Sequence, residues 1–371
     1  MLTETFLSVR TTRIILLGLV LFQGSLFADR IRELGEPPRN PAISFAVNTG
    51  SREDVRGFFN TIYRASDGVA ILWTWDRASC TPGTTAQELR DAVALRINFF
   101  RAMEGIPASI VLSNLYNVKD QQAALMMTVN RSLSHAPPPS WICYTADGAE
   151  AAGKSNLALG DAGPDAISGY IQDYGANNTA AGHRRWILYP QTKTMGTGDI
   201  PESDTDFAAN ATWILDANFG GARPATRDEF VSWPPPGYVP YPIVHPRWSF
   251  AYPNANFSGA TVSMSSNGVS MALRLEAFAG DIGENTLVWV TANLDADDSR
   301  TTFFRPSADT VYAVTVRNVN IGGTLRDFTY NVTVFDPAIP GPDYLPPVIS
   351  GPDNRRRLPM DANPAHPVHT H

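Results

Sequence analysis

An α/β domain followed by an all-β module is the fold class that this 371-residue sequence predicts. Three observations carry it. Apolar residues recur at spacings of three and four as far as about residue 188, the signature of helices packed on a core. From about residue 213 the period falls to two, the signature of half-buried strands. A proline-rich segment, 233–248, accompanies the change and resists regular pairing, which suggests an ordered strap.

The N-terminus sets the compartment. Arg10 and Arg13 precede an apolar run over 14–27 that ends at the small residue Ala28, so 1–28 reads as a secretory signal. The run is short of the roughly 20 apolar residues a bilayer span needs. A buried N-terminal helix is the alternative, and no other segment has the character of a membrane span. Residues 29–80 are expected to form an exposed arm and a first helix over 51–65. There Ser51 can cap, Glu53 and Asp54 suit the first turn, and Val55, Phe58, Phe59 and Ile62 make one stripe.

The α/β domain is expected over 81–202. Turn residues fill 81–85. A long helix then carries Leu89, Val93, Ile97, Phe100 and Met103 inward and stops at Gly105 and Pro107. A second runs from about 120 to 133, ended by Pro137. A third spans 165–174 with Ile167, Tyr170 and Ile171 inward, closed by Gly175. A fourth, short helix runs through 183–188, capped by Asn178 or Thr179 and ended by Pro190.

Strap and strands occupy 203–340. Ala260, Val262 and Met264 alternate with hydroxyl residues, as do Phe328, Tyr330, Val332 and Val334, while 286–290 and 311–319 are rich in β-branched and aromatic residues. Short alternating strands between Gly, Asn, Asp and Pro turns predict an antiparallel, immunoglobulin-like sandwich. Residues 341–371 read as a flexible, Pro-rich tail.

Composition narrows the function. Hydrophobic residues make up 43% and charged residues 18%, enough to build a core, and the net charge is −7. A nucleic-acid partner is excluded on that balance, since phosphate binding needs a concentrated basic surface. Arg355, Arg356 and Arg357 form the one dense basic run and belong to the tail. Cys80 and Cys143 are the only cysteines. In an oxidising compartment they pair most simply as a disulfide, with two buried thiols the alternative. No CxxC pair suggests a cysteine zinc site.

Of six histidines, His366, His369 and His371 lie in the tail and His245 in the strap. His135 and His183 remain in the α-rich half, each flanked by local signals: Leu133-Ser134-His135 and Gly182-His183-Arg184-Arg185-Trp186-Ile187-Leu188. With Ser155-Asn156-Leu157-Ala158-Leu159-Gly160, Tyr170-Ile171-Gln172-Asp173 and Met195-Gly196-Thr197-Gly198, they resemble, in order, the motifs of the CAP superfamily. That superfamily takes in cysteine-rich secretory, pathogenesis-related and venom-allergen proteins and bacterial SCP-like extracellular proteins. The resemblance covers roughly 87–199 and implies an α-β-α sandwich with a cleft of two histidines and two acidic residues, in which the histidines of several members hold a divalent metal.

Carried over position by position, the resemblance assigns the cleft to His135, Ser155, Asp173 and His183. Asp173 keeps the charge of the helix glutamate with a shorter reach. Ser155 stands where the other acid would be, which weakens general acid–base chemistry, and Glu150 is the nearest substitute. His135 and His183 are the candidate ligands of a divalent metal such as zinc, with Asp173 and a water completing four positions. A triad of Ser155, histidine and Asp173 lacks a nucleophile elbow around the serine. Arg184 and Arg185 are candidate anion binders.

No catalytic residue is assigned and enzyme status stays open. The expectation is a secreted or cell-surface module that binds an extracellular lipid, glycan or protein in a degenerate cleft. A metal-dependent extracellular hydrolase and a self-assembling surface component are the alternatives.

Overall fold

The computed structural model describes residues 44–280 and 282–342. The expected signal over 1–28, most of the arm, and the tail beyond residue 342 lie outside the described residues. Helix α1 (Arg52–Phe58) starts at Ser51, whose Oγ accepts from the Asp54 N–H at 3.3 Å. It runs on through a wider turn (Phe59–Tyr63) and a tighter one (Arg64–Ser66), filling the expected first helix.

Residues 81–85 are a strand rather than a turn. β2 (Thr81–Thr85) pairs antiparallel with β1 (Trp73–Asp76), Trp73 opposite Thr85. The reversal falls just upstream, and the β-branched threonines suit the ladder. Helix α2 (Gln87–Glu104) buries Leu89, Val93, Ile97, Phe100 and Met103 completely and ends at Gly105, φ 72°, a left-handed cap that favours glycine.

After β3 (Val111–Leu112), α3 spans Asn114–Asn130, earlier at both ends than the expected 120–133. Arg131 takes a left-handed conformation and closes it before the prolines. Helix α4 (Ala146–Lys154) was not anticipated. Its uncharged residues are all alanine or glycine, so it has no large apolar stripe, and its cap is Thr145, whose Oγ1 accepts from Gly148 N–H. Then come β4 (Ser155–Leu159), α5 (Gly163–Gln172), α6 (Gly182–Ile187), β5 (Thr194–Met195), β6 (Gly198–Ile200) and β7 (Ala209–Trp213).

Strands β4, β7 and β6 form an antiparallel sheet in that order, so β7 is central although it lies past residue 202. Alternation sorts its faces. Ala209, Ala211, Trp213 and Leu157 pack with Ala123, Ala124, Ala151 and Ala152 of α3 and α4. On the other face Asn210 meets Tyr170 of α5 at 2.8 Å. The result is an α-β-α stack. Helix α3 lies so close that a Cβ on Gly198 would stand 2.1 Å from the Asp120 backbone.

The C-terminal half holds two sheets. One runs β14 (Leu273–Leu275), β15 (Thr286–Thr291), β10 (Arg247–Ala251), β8 (Val231–Trp233). The other runs β13 (Val269–Ser270), β12 (Thr261–Ser266), β16 (Thr310–Ile321), β17 (Thr324–Phe335), β9 (Gly237–Pro240), with β11 (Ala255–Asn256) also on β16. Aromatic contacts close them: Trp248 to Tyr312 at 5.8 Å and Phe250 to Phe328 at 5.1 Å. The proline-rich strap joins the ladder, since β9 pairs in parallel with β17. Gly237 to Val239 carry the N–H groups that the neighbouring prolines lack.

The two halves share one core. Phe100 of α2 meets Trp233 edge to face at 5.2 Å, and Glu104 Oε1 accepts from the Ser232 N–H at 2.6 Å. Burial pushes the Glu104 carboxyl well above its ordinary range. Cys80 and Cys143 form a disulfide across 63 residues that pins the β1–β2 hairpin to the loop after α3. Replacing both by alanine is expected to lower unfolding stability by about 4 kcal/mol, the closure entropy of a loop this long, read from the urea midpoint under non-reducing conditions. Gly198→Ala is expected to cost about 1–3 kcal/mol by overpacking in the same titration.

Candidate functional site

Asp173 is the residue from which the site is built. It caps the C-terminus of α5 in the left-handed region, φ 56°, and its side chain is fully buried. Oδ1 accepts from His183 Nδ1 at 2.8 Å, and Oδ2 from the Arg184 backbone N–H at 3.2 Å. The carboxylate therefore sits behind the imidazole and fixes the start of α6, the helix that carries the ring. His183 keeps 24% of its side chain exposed.

Burial by itself works against a protonated His183, yet the charge and hydrogen bond of Asp173 outweigh it and raise the ring above its ordinary value. Tyr170 packs against the same ring at 5.2 Å.

His135 arrives from the opposite side. It is exposed, and its Nδ1 lies 2.7 Å from the Ala152 carbonyl oxygen of α4. A carbonyl only accepts, so His135 Nδ1 carries the proton; the carboxylate imposes the same on His183 Nδ1. Both rings are thereby left with Nε2 as the outer atom. His135 and His183 line the same groove of about 500 Å³, together with Tyr174, Asn178, Asp161 and Leu157. They also line an adjoining compartment of about 370 Å³ with Asn156, Trp186 and Ile282.

Ser155 lines that second compartment, but its hydroxyl is committed elsewhere. Its Oγ donates to Asp120 Oδ1 at 2.7 Å, on the α3 face of the sheet, while the next side chain, Asn156, crosses to the other face to bond the His183 carbonyl. Asp120 is completely buried, also accepts from the Trp213 N–H at 3.0 Å, and is pushed well above its ordinary range by burial. Sequence reasoning missed Asp120; its place within a helix expected from about 120 offered no signal.

This geometry bears on three arrangements. The triad, already disfavoured by the missing elbow, is not formed, because the Ser155 hydroxyl points to the other face of the sheet. Glu150 does not substitute for the missing acid: hydrogen bonds from Lys119 and Lys154 hold it ionised, down to about 2. Asp173 does not join the two histidines as a ligand, since both of its oxygens are engaged behind the His183 ring. The donors left for a metal are two imidazoles. Among the described residues no group of three or more His, Cys, Asp or Glu could hold an ion.

Arg184 and Arg185 are not anion binders. Arg184 donates to the carbonyls of Ile171 and Gln172 and to Ser249 Oγ of β10; Arg185 donates to the carbonyls of Ala279 and Glu284. Both are buried, and burial brings each down to about 10. Arg247 of β10 answers from the other half, donating to the Asp173 and Gly175 carbonyls. The β module thus holds the backbone on which the site is mounted.

An α-β-α domain with two histidines across one groove defines the class. Within that class, residues 95–216 match CAP, the cysteine-rich secretory protein family, and this segment is a CAP domain. Among solved structures, the chain is similar to venom allergen-like protein 4 of Schistosoma mansoni, with 12% identity over 39% of this chain and 98% of that one, TM-score 0.25. It is also similar to PcoC, a methionine-rich copper resistance protein of Escherichia coli, with 16% identity over 28% of this chain and 92% of that one, TM-score 0.20. No curated protein matches the chain. No helix of the described residues is long and apolar enough to cross a membrane.

A raised His183 has a defined sign in stability. Its protonated form stabilises the fold fully below the unfolded value of about 6.5, and that contribution is lost as pH rises through the folded value. Proton NMR titration of the ring is expected to give a midpoint above 6.5 in the native protein. In Asp173→Asn, where burial acts without the carboxylate, the midpoint is expected to fall below it.

Proposed function

We propose that this protein is an exported CAP-domain protein whose two-histidine groove binds an extracellular lipid, glycan or protein ligand without transforming it. The β module, which we read as immunoglobulin-like, serves as its rigid backing. One observation carries the reading: the residue at the missing acidic position, Ser155, turns its hydroxyl away from the groove and locks it on Asp120. What faces a ligand is therefore two imidazoles, the Asp161 carboxyl, which burial raises above its ordinary range, partly exposed rings of Tyr174 and Trp186, and amides of Asn177 and Asn178. That set recognises and orients; it supplies no activated nucleophile. The disulfide and the signal-like N-terminus support export.

A second reading is favoured by the tautomers. With both Nδ1 atoms engaged by acceptors, both Nε2 lone pairs are available in the form that binds zinc, and Asp173 would orient His183 as carboxylates orient metal-bound histidines. His135 and His183 would hold the ion, and bound water activated by it is the chemistry such an ion supplies.

Two measurements separate these readings. Ala158→Trp, on the groove floor, is expected to reduce by at least about tenfold the lipid or cell-wall glycan that the full chain retains, with the retained molecule recovered unaltered by mass spectrometry. Retention unaffected by Ala158→Trp would remove the binding proposal. Zinc titration by calorimetry tests the alternative: one zinc per chain, lost in His135→Ala and in His183→Ala, together with ligand turnover that fails in both variants, would make it an enzyme.

A further inference from the structure

The floor of the groove is the edge of a sheet; along it Ser155 and Leu157 are buried and Leu159 half-buried, with their side chains packed on the α3 and α4 face. β4 is an outer strand, paired with β7 alone. The pairing phase follows from the two bonds that bracket it: Ile214 N–H to the Lys154 carbonyl at 3.0 Å, and Gly160 N–H to the Ala208 carbonyl at 2.8 Å. In an antiparallel ladder such bonded pairs recur every second residue. Asn156 and Ala158 therefore point their peptide groups at β7, and Ser155, Leu157 and Leu159 point theirs outward. Among the described residues, no backbone or side-chain group bonds the N–H or carbonyl of these three.

The opposite edge of the same sheet shows what a closed edge looks like here. On β6, the outward peptide groups of Asp199 are both taken by one side chain: Gln121 Nε2 donates to the Asp199 carbonyl at 2.9 Å, and Gln121 Oε1 accepts the Asp199 N–H at 3.0 Å. β4 has no such cover. Nor does it carry a proline, a charge or a bulge, the usual devices that blunt an edge; its residues are Ser-Asn-Leu-Ala-Leu in unbroken register.

Its setting is a trough. His135 is bonded to α4 on one face of the sheet, and His183 sits by Asn156 on the other. The β4 edge runs between them, and both compartments of the groove are lined by its residues.

We propose that the groove takes an extended peptide, added as a further strand along β4. This rests on the ligand-binding reading above and names its ligand class. The donor–acceptor repeat of Ser155, Leu157 and Leu159 matches an extended main chain, which no sugar or acyl chain reproduces. Five residues give an edge of roughly 16 Å, and the peptide's alternate side chains would rest beside His135 and His183.

The test pans a displayed heptapeptide library on the full-length protein and then uses the strongest synthetic peptide. Methylating the alternate amide nitrogens on its β4-facing edge is expected to weaken binding by about tenfold or more, and methylating the other edge to change it little. Bound peptide should also slow hydrogen exchange at the Ser155, Leu157 and Leu159 amides. Leu159→Pro, which removes one outward N–H and leaves the β7 bonds in place, should weaken the same peptide. Because that variant carries a folding risk, the methylated peptides decide the matter on native protein. If no peptide is enriched, or both methylation patterns act alike, strand addition is overturned. If glycan or lipid then shifts the His183 ring resonances without protecting those three amides, the groove binds by another mode; if nothing shifts them, the ligand-binding reading fails as well.

Discussion

A buried aspartate with three obligations constrains the rest of the molecule. The Asp173 carboxylate orients the His183 ring and anchors the first turn of α6, while its carbonyl is held by Arg247 from the β module. An ionised carboxylate withdrawn from water is tolerable only when hydrogen bonds replace its hydration. Here those bonds are the ones that shape the site. The left-handed backbone at Asp173 belongs to the same arrangement: it ends α5 and turns the side chain back toward the next helix.

The groove has the character of a seam. α3 and α4 cover one face of the sheet, α5 and α6 the other, and the histidines stand on either side of the strand edge where the layers part. Each ring is fixed at Nδ1 by its own layer, one by a peptide carbonyl and one by a carboxylate, so the environments differ although the residue type is the same. At His183 the adjacent Asp173 anion favours the charged form.

Much of this was legible in the sequence where periodicity is strong. The stripe from Leu89 to Met103 and the cap at Gly105 gave α2 to within a few residues, and Phe328 to Val334 gave the inner face of the longest hairpin. The motif stretches brought His135, Asp173 and His183 forward from the sequence. What was hidden followed from chemistry that leaves no local pattern. Apart from three charged residues, helix α4 is alanine and glycine, small enough for close packing but without a large apolar stripe. Residues 81–85 contain Pro and Gly, and only the partner strand shows that their threonines belong to a ladder. Arg184 and Arg185 look like a basic patch in one dimension; their guanidinium groups are spent on carbonyls that lie about ten to a hundred residues away. The outward turn of Ser155 depends on a buried acid 35 residues earlier.

The shared core has a consequence for how this protein can be rearranged. Phe100, Glu104, Arg184 and Asp173 all find partners in the C-terminal half, so the family-like segment is not a portable cassette. Cut free, it would bare an aromatic face, strand a buried acid, and lose the arginine that steadies the loop behind its groove. Recombination that swaps one half for a foreign neighbour must bring matching residues with it.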